Sequence, residues 1–159
     1  MKVNIIAVGK LKERYLKDGI AEYSKRLSRF CDLKITEVGD EQAPETLSAA
    51  QEDQIKNREA ARVLGKVKDG AYLIALDTKG ASKTSEEFAC AIQSCMTSGK
   101  SNIVFIIGGS LGLGTDLIQK ADMRLSLSEM TFPHQLTRLI LLEQIFRAFK
   151  IINGETYHK

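Results

Sequence analysis

The chain has 159 residues, of which 43% are hydrophobic and 27% charged, and it contains two prolines. This composition is typical of a globular protein and excludes disordered and collagen-like classes. No apolar run approaches the roughly 18–20 residues of a membrane-spanning helix, and residues 1–10 lack the pattern of a signal peptide. We therefore expect one domain over residues 1–159 that works in the cytoplasm without a membrane partner.

The first half of the chain predicts two strands and two helices. A strand over residues 3–8 precedes a helix whose apolar side chains are spaced by four and three, as one helical face requires: Leu16, Ile20, Tyr23, Leu27 and Phe30. A strand over residues 33–38 follows, and then a polar helix from Leu47 to Lys66 that ends before Asp69 and Gly70.

The second half continues the same alternation. Strands are predicted over residues 72–76 and 103–107, and a weaker one over residues 123–127. A helix starts at Thr84 or Ser85 and runs to about Met96. Short apolar runs that alternate with amphipathic helices predict an α/β fold with a mainly parallel sheet flanked by helices.

The last predicted helix, from about Gln135 to Ile152, carries apolar side chains on most of its circumference. A surface helix needs only one apolar stripe, so we expect this helix to be buried on two sides. A chain of this size can hardly cover both sides, and a symmetric homodimer would supply the second cover. Candidates for the covered positions are Ile145, Phe146 and Phe149.

The charge is uneven, although the net charge is only +3. Residues 10–34 carry eight Lys and Arg against four Asp and Glu, whereas residues 37–53 carry six acidic residues and no basic ones. A basic surface of this kind can contact a polyanion such as RNA. Two solvated faces of opposite sign explain the same pattern equally well.

Metal and disulfide sites are not predicted. Cys31, Cys90 and Cys95 are odd in number and form no Cys-x-x-Cys pair, which favours free thiols. The two histidines, His134 and His158, have no second nitrogen or sulfur ligand at metal spacing nearby in the sequence.

Residues 103–114 form a buried-strand pattern that leads directly into a glycine-rich turn. Glycines at the carboxyl end of a parallel strand let a ligand approach the backbone, although a turn that needs positive φ has the same appearance. The spacing after Gly109 differs from the G-x-G-x-x-G fingerprint and the turn has no P-loop lysine, which disfavours nicotinamide enzymes and P-loop NTPases. A hydrolase or reductase with His134 as base is an alternative, but no Gly-x-Ser-x-Gly elbow supports it.

Five segments together resemble the ribosomal RNA large subunit methyltransferase H family, a minimal group of the SPOUT methyltransferases. They are residues 8–12, 105–110, 126–128, 130–135 and the closing Tyr157-His158, so the resemblance covers nearly the whole chain. It implies an α/β knot with a deep C-terminal trefoil, which ordinary topology rules would exclude. It also implies a homodimer that uses S-adenosylmethionine to methylate N3 of a pseudouridine in 23S rRNA within the assembled ribosome.

Carried over position by position, the resemblance assigns the cofactor to three segments of this chain: Leu76, Gly108, and the run Leu127, Ser128, Glu129, Met130, Thr131 and Phe132. Methylation of N3 requires loss of its proton, and we expect the imidazole of His158 to accept it while Tyr157 stacks on the target base. RNA contacts are expected at His134, Arg138, Arg14 and Lys25. Two alternatives stay open: His158 only binds RNA, or the whole chain is a noncatalytic ribosome-binding module.

Overall fold

A computed structural model describes residues 1–157. The strands are β1 (Lys2–Val8), β2 (Asp32–Val38), β3 (Tyr72–Ser82), β4 (Asn102–Ile107) and β5 (Met123–Ser126). The helices are α1 (Arg14–Leu27), α2 (Ala49–Leu64), α3 (Ser85–Thr97), α4 (Thr115–Lys120) and α5 (His134–Ile152). None of these helices is long and apolar enough to cross a membrane.

The five strands form one parallel sheet in the order β2-β1-β4-β3-β5, which confirms the predicted α/β fold class. Parallel sheets are covered by helices on both faces, and here α1, α3 and α5 cover one face while α2 and α4 cover the other. Every strand therefore ends at the same edge of the sheet. Ligands of open α/β sheets bind outside this carboxyl edge.

Local sequence explains where two of the helices begin. Ser48 accepts a hydrogen bond from the backbone N of Gln51, whose side chain accepts one in return from the backbone N of Ser48. Thr84 and Glu87 form the same reciprocal capping box at the start of α3. These boxes satisfy backbone donors that the first turn of a helix leaves free.

The structure adds two features that the sequence did not predict. Helix α4 has only six residues, which is too short for an apolar periodicity to show. Strand β3 runs on to Ser82, and its pairing with β5 is interrupted by an irregularity between Leu76 and Ala81.

Three positions of helix α5 that were candidates for cover by a second subunit are covered by the chain itself. Ile145, Phe146 and Phe149 are all buried in the single chain. The ring of Phe30 stacks on Phe149 at 5.6 Å and meets Phe146 edge-on at 5.9 Å. Helices α1 and α3 pack against α5 and cover these three positions, whereas Leu136, Leu139 and Ile140 of the same helix are only partly buried in the single chain. The homodimer stays a prediction.

Candidate functional site

A cavity of about 620 Å³ opens at the carboxyl edge of the sheet. Its walls are residues 76–78 in the middle of β3, the glycine turn after β4, the loop after β5 and the first turn of α5. The volume is in the range of small-molecule sites. Seven of the eight residues predicted to touch the cofactor line this one cavity, namely Leu76, Gly108, Leu127, Ser128, Met130, Thr131 and Phe132. Glu129 lies in the same loop but does not line the cavity.

The glycine turn is held by its own backbone. The N–H of Gly112 donates to the carbonyl of Gly109 at 3.1 Å, and Gly112 has a φ of 86°, which favours glycine. A Cβ on Gly108 would lie 2.9 Å from the backbone carbon of Gly112 and from Cδ2 of Leu113. The space beside the Cα of Gly108, expected to be open to a ligand, is occupied by the turn itself.

The buried carboxylate of Glu59 lies behind this turn, and no pattern in the sequence predicted it. An ideal Cβ on Gly109 would meet Oε2 of Glu59 at 3.0 Å, so the turn and the α2 side chain are in close contact. Burial raises the pKa of Glu59, and nearby Asp40 adds to this effect, whereas a hydrogen bond from the backbone of Glu41 and the charge of Arg62 oppose it.

Asp77 is the one carboxylate among the described residues that line the cavity. Its Oδ2 accepts hydrogen bonds from Nη2 and Nε of Arg124 at 2.5 and 3.1 Å, and its Oδ1 accepts one from the backbone N of Lys79 at 3.0 Å. Burial raises the pKa of Asp77, but these hydrogen bonds outweigh burial and hold the pKa below its usual value. Asp77 is therefore ionised at neutral pH.

The loop after β5 is shaped by two serines. The hydroxyl of Ser126 donates to the carbonyl of Ser128 at 3.0 Å, and the hydroxyl of Ser128 accepts from the backbone N of Met130 at 3.0 Å. These local bonds let a short polar segment turn without regular secondary structure. The side chain of Met130 stays largely exposed at the mouth of the cavity.

His134 lines the cavity from the first turn of α5. Burial lowers the pKa of His134, as do the charges of Arg138 and Lys12, while Asp40 acts in the opposite direction. The imidazole is thus neutral at pH 7, with one ring nitrogen that can donate a hydrogen bond and one that can accept. No Lys or Arg is found among the described residues that line the cavity.

The expectation that Arg138 contacts RNA is not supported, because its side chain is only 1% exposed. Its guanidinium is already paired with Glu37 at 2.7 Å and with the carbonyl of Gly9 at 2.8 Å. Arg14 and Lys25 are exposed on α1, and Arg14 has only a 4.0 Å contact with Asp18. Their contacts with RNA stay predictions.

Tyr157 does not line its own chain's cavity. Its ring meets Phe146 edge-on at 5.0 Å beneath the guanidinium of Arg147, and its hydroxyl donates to Oε1 of Glu143 at 3.3 Å. Burial and the neighbouring Tyr23 raise the pKa of Tyr157 to about 12, so the phenol is protonated at neutral pH. His158 lies outside the described residues.

Metal binding has no support in the part of the chain described. Residues 1–157 contain no group of three or more His, Cys, Asp or Glu side chains that could hold an ion. Cys31 and Cys95 are buried and Cys90 is exposed, all as free thiols.

Comparison with solved structures finds the same fold in two other proteins. A tRNA methyltransferase from Aquifex aeolicus matches with a TM-score of 0.51 and 12% identity, over 92% of this chain and 70% of that one. A probable methylase family protein from Haemophilus influenzae matches with a TM-score of 0.50 and 12% identity, over 99% of this chain and 70% of that one. At this identity the likeness shows the fold alone.

Comparison of sequences identifies the family. A family model described as predicted SPOUT methyltransferase matches residues 1–158. Proteins named ribosomal RNA large subunit methyltransferase H from Acetivibrio thermocellus and Ruminiclostridium cellulolyticum are each 60% identical over 159 residues, the full length of both chains in each pair. The chain therefore belongs to the SPOUT methyltransferases, within the ribosomal RNA large subunit methyltransferase H family.

Proposed function

We propose that this protein is a ribosomal RNA methyltransferase that transfers a methyl group from S-adenosylmethionine to N3 of a pseudouridine in 23S rRNA of the assembled ribosome. The observation that carries the proposal is the convergence of three segments, distant in sequence, on one cavity. These are the segments that the family resemblance assigns to the cofactor. The names of the relatives support rRNA as the substrate.

The cavity fits an adenosyl ligand better than a nucleoside triphosphate. No cationic side chain among the described residues lines the walls, and the carboxylate of Asp77 is already paired with Arg124, so the site lacks the cations that a polyphosphate would need. Leu76, Gly108, and residues 127, 128 and 130–132 would hold the ligand through a glycine turn and short loops. When bound, S-adenosylmethionine supplies an electrophilic methyl group.

The chain's own work is to position the target nitrogen and to remove its proton. The N3–H bond breaks as the new N3–CH₃ bond forms, the sulfonium becomes a neutral thioether, and a base takes the proton. We assign the base to His158 and the stacking of the target base to Tyr157. His134, neutral and at the wall of the cavity, is assigned to contact RNA.

The position of Tyr157 supports a homodimer with composite sites. Tyr157 packs on Phe146, twelve residues after His134 on the same helix. At about 1.5 Å per residue these positions are about 18 Å apart along the helix axis. Tyr157 therefore lies away from its own chain's cavity, and we propose that the tail of a second copy, Tyr157 and His158, completes it.

Two measurements test this function. Mass spectrometry of 23S rRNA from cells that lack the protein should show one missing methyl group on a pseudouridine, restored by purified protein with S-adenosylmethionine and ribosomes. Calorimetry should detect binding of S-adenosylmethionine but not of NADH or ATP. Ribosome binding without any methyl transfer would instead identify a noncatalytic ribosome-binding module.

A further inference from the structure

One half of one sheet face has no helix over it. On the face that α2 covers, Ile6 and Val8 near the carboxyl end of β1 pack with Ala60 and Val63 of α2. Side chains alternate between faces along a strand, so Lys2 and Asn4 lie on this same face near the amino end. A parallel sheet is normally apolar and covered on both faces, which makes a polar, uncovered half unusual.

The strand register brings polar side chains of neighbouring strands together there. Asn4 is paired with Lys34 of β2, and Lys2 is paired with Asn102 of β4. Nδ2 of Asn4 donates to Oδ1 of Asn102 at 2.8 Å, which fixes both amides on the floor. The resulting depression of about 560 Å³, here called the amino-end groove, is also lined by Lys66, Lys68, Asp69 and Ser101.

The lysines of the amino-end groove are not paired with acidic groups. Lys2, Lys34, Lys66 and Lys68 are exposed, and none of them forms an ion pair within 4.0 Å among residues 1–157. Asp32 and Asp69 also line the groove and offset half of this charge. The groove therefore keeps a net positive charge above a floor of amide and hydroxyl groups.

We propose that the amino-end groove is a second RNA-binding surface, which takes the sugar-phosphate backbone of ribosomal RNA apart from the segment being methylated. The inference rests on the proposed function. Lys, Asn, Ser and Thr side chains are those that contact phosphates and sugars, and the floor offers amide groups of Asn4 and Asn102 and the hydroxyl of Thr36. Protein interfaces, by contrast, are depleted in lysine at their cores.

The groove and the cofactor cavity lie at opposite ends of the sheet. Lys2 begins β1 and Val8 ends it, and six steps of about 3.3 Å separate the two ends by about 20 Å. Contacts at both ends of a rigid sheet fix the orientation of the protein on a folded RNA. A single basic patch would leave the protein free to rotate about that one contact. The groove thus contributes to docking and not to the chemical step.

The test compares two variants in which the same amount of charge is removed. Lys34→Gln/Lys66→Gln removes two lysines of the groove, whereas Lys83→Gln/Lys120→Gln removes two exposed lysines that do not line it. Ribosome affinity is measured from low to high salt for both. Each phosphate that is no longer neutralised should reduce the salt slope by roughly 0.7–0.9, so the slope of the groove variant should fall by up to about 1.4–1.8 while the control keeps the wild-type slope.

Two further measurements distinguish RNA binding by the amino-end groove from the proposed methyltransferase function. Affinity for S-adenosylmethionine and the single-turnover methylation rate at saturating enzyme should be the same in the groove variant and the wild type. Groove and control variants with equal affinity and equal salt slope would overturn the inference, as would a change of oligomeric state in the groove variant alone. Wild-type protein that binds ribosomes without methyl transfer would contradict the proposed function, while the slopes would still decide the role of the groove.

Discussion

Nη1 of Arg138 lies 2.7 Å from Oε1 of Glu37, and this ion pair joins the first turns of α5 to the end of β2. Nη2 of Arg138 also donates to the carbonyl of Gly9 at 2.8 Å, and Oε1 of Glu37 accepts from the backbone N of Leu11 at 2.8 Å. Nε of Arg138 is buried without a hydrogen-bond partner in the described structure. Arg138 therefore holds the loop after β1 beside the His134 end of the cavity.

Replacing Arg138 by Met should destabilise the protein by about 2–3 kcal/mol. The change leaves the carbonyl of Gly9 without its charged donor, and the loss is moderated because the Glu37 side chain is 38% exposed and can be hydrated. Urea unfolding measures the difference. Glu37→Gln tests the charge of the pair alone: its amide oxygen can still accept from Leu11, but the buried guanidinium of Arg138 loses its counter-charge, so this variant should be destabilised as well. An Arg138→Met protein within about 0.5 kcal/mol of the wild type would contradict this role.

The case of Arg138 shows what local sequence patterns can and cannot predict. Apolar runs, helical spacing and capping residues located all five strands and the four longer helices, because each of these signals lies within one continuous segment. For a charged residue within an apolar helix, no such pattern predicts which groups its side chain will contact. The partners of Arg138 come from the loop after β1 and from β2, more than a hundred residues away.

The same limit applies to the candidate site, where the continuous segments were predicted and the contacts between distant residues were not. The glycine turn and the loop after β5 are continuous segments, so the family resemblance could assign them. Two carboxylates come close to these segments only in the folded chain: Asp77 pairs with Arg124, and Glu59 lies against Gly109. No spacing of residues in the sequence predicts these contacts. The trefoil knot that the resemblance implies stays a prediction.

Glu59→Gln should stabilise the protein at alkaline pH. Burial raises the pKa of this carboxyl in the folded state, so the folded protein binds the proton more tightly than the unfolded chain, and stability is lost as the pH rises through the folded pKa. A neutral glutamine keeps an oxygen to accept from the backbone of Glu41 and avoids burial of a charge. Thermal unfolding at pH 8 should give a higher Tm for Glu59→Gln, and the advantage should disappear near pH 4. An equal difference at both pH values would show that ionisation of Glu59 is not its cause.

Gly108→Ala should weaken binding of S-adenosylmethionine by roughly tenfold or more. The new Cβ would lie 2.9 Å from the backbone of Gly112, so the turn must move, and strain of this kind costs about 1–3 kcal/mol. Gly39→Ala is the control, because its Cβ would meet only Nη1 of Arg62 at 4.0 Å. If calorimetry finds equal cofactor affinity in both variants, the glycine turn is not part of the cofactor site.

His158→Ala should lower the single-turnover rate of methylation by roughly 10²–10⁴-fold at saturating cofactor and enzyme, because a proton acceptor acts in the transition state. If His158 only bound RNA, the substitution would instead weaken apparent affinity and leave the saturated rate within a few-fold of the wild type. Tyr157→Phe keeps the aromatic ring and removes only the hydroxyl that donates to Glu143, so its rate should stay near the wild-type rate. Tyr157→Ala removes the ring, and its rate should fall.

Mixing two inactive chains tests which subunit's tail is used. If the tail of one copy completes the cavity of the other, a dimer of one His158→Ala chain and one Gly108→Arg chain contains one site with an intact cavity and an intact tail. Co-expression of the two chains should then restore methylation that neither has alone. If each tail served its own cavity, every site in the mixed dimer would carry one defect and no activity would return. Light scattering must show dimers in both preparations, since a stable monomer at micromolar concentration would itself rule out the composite site.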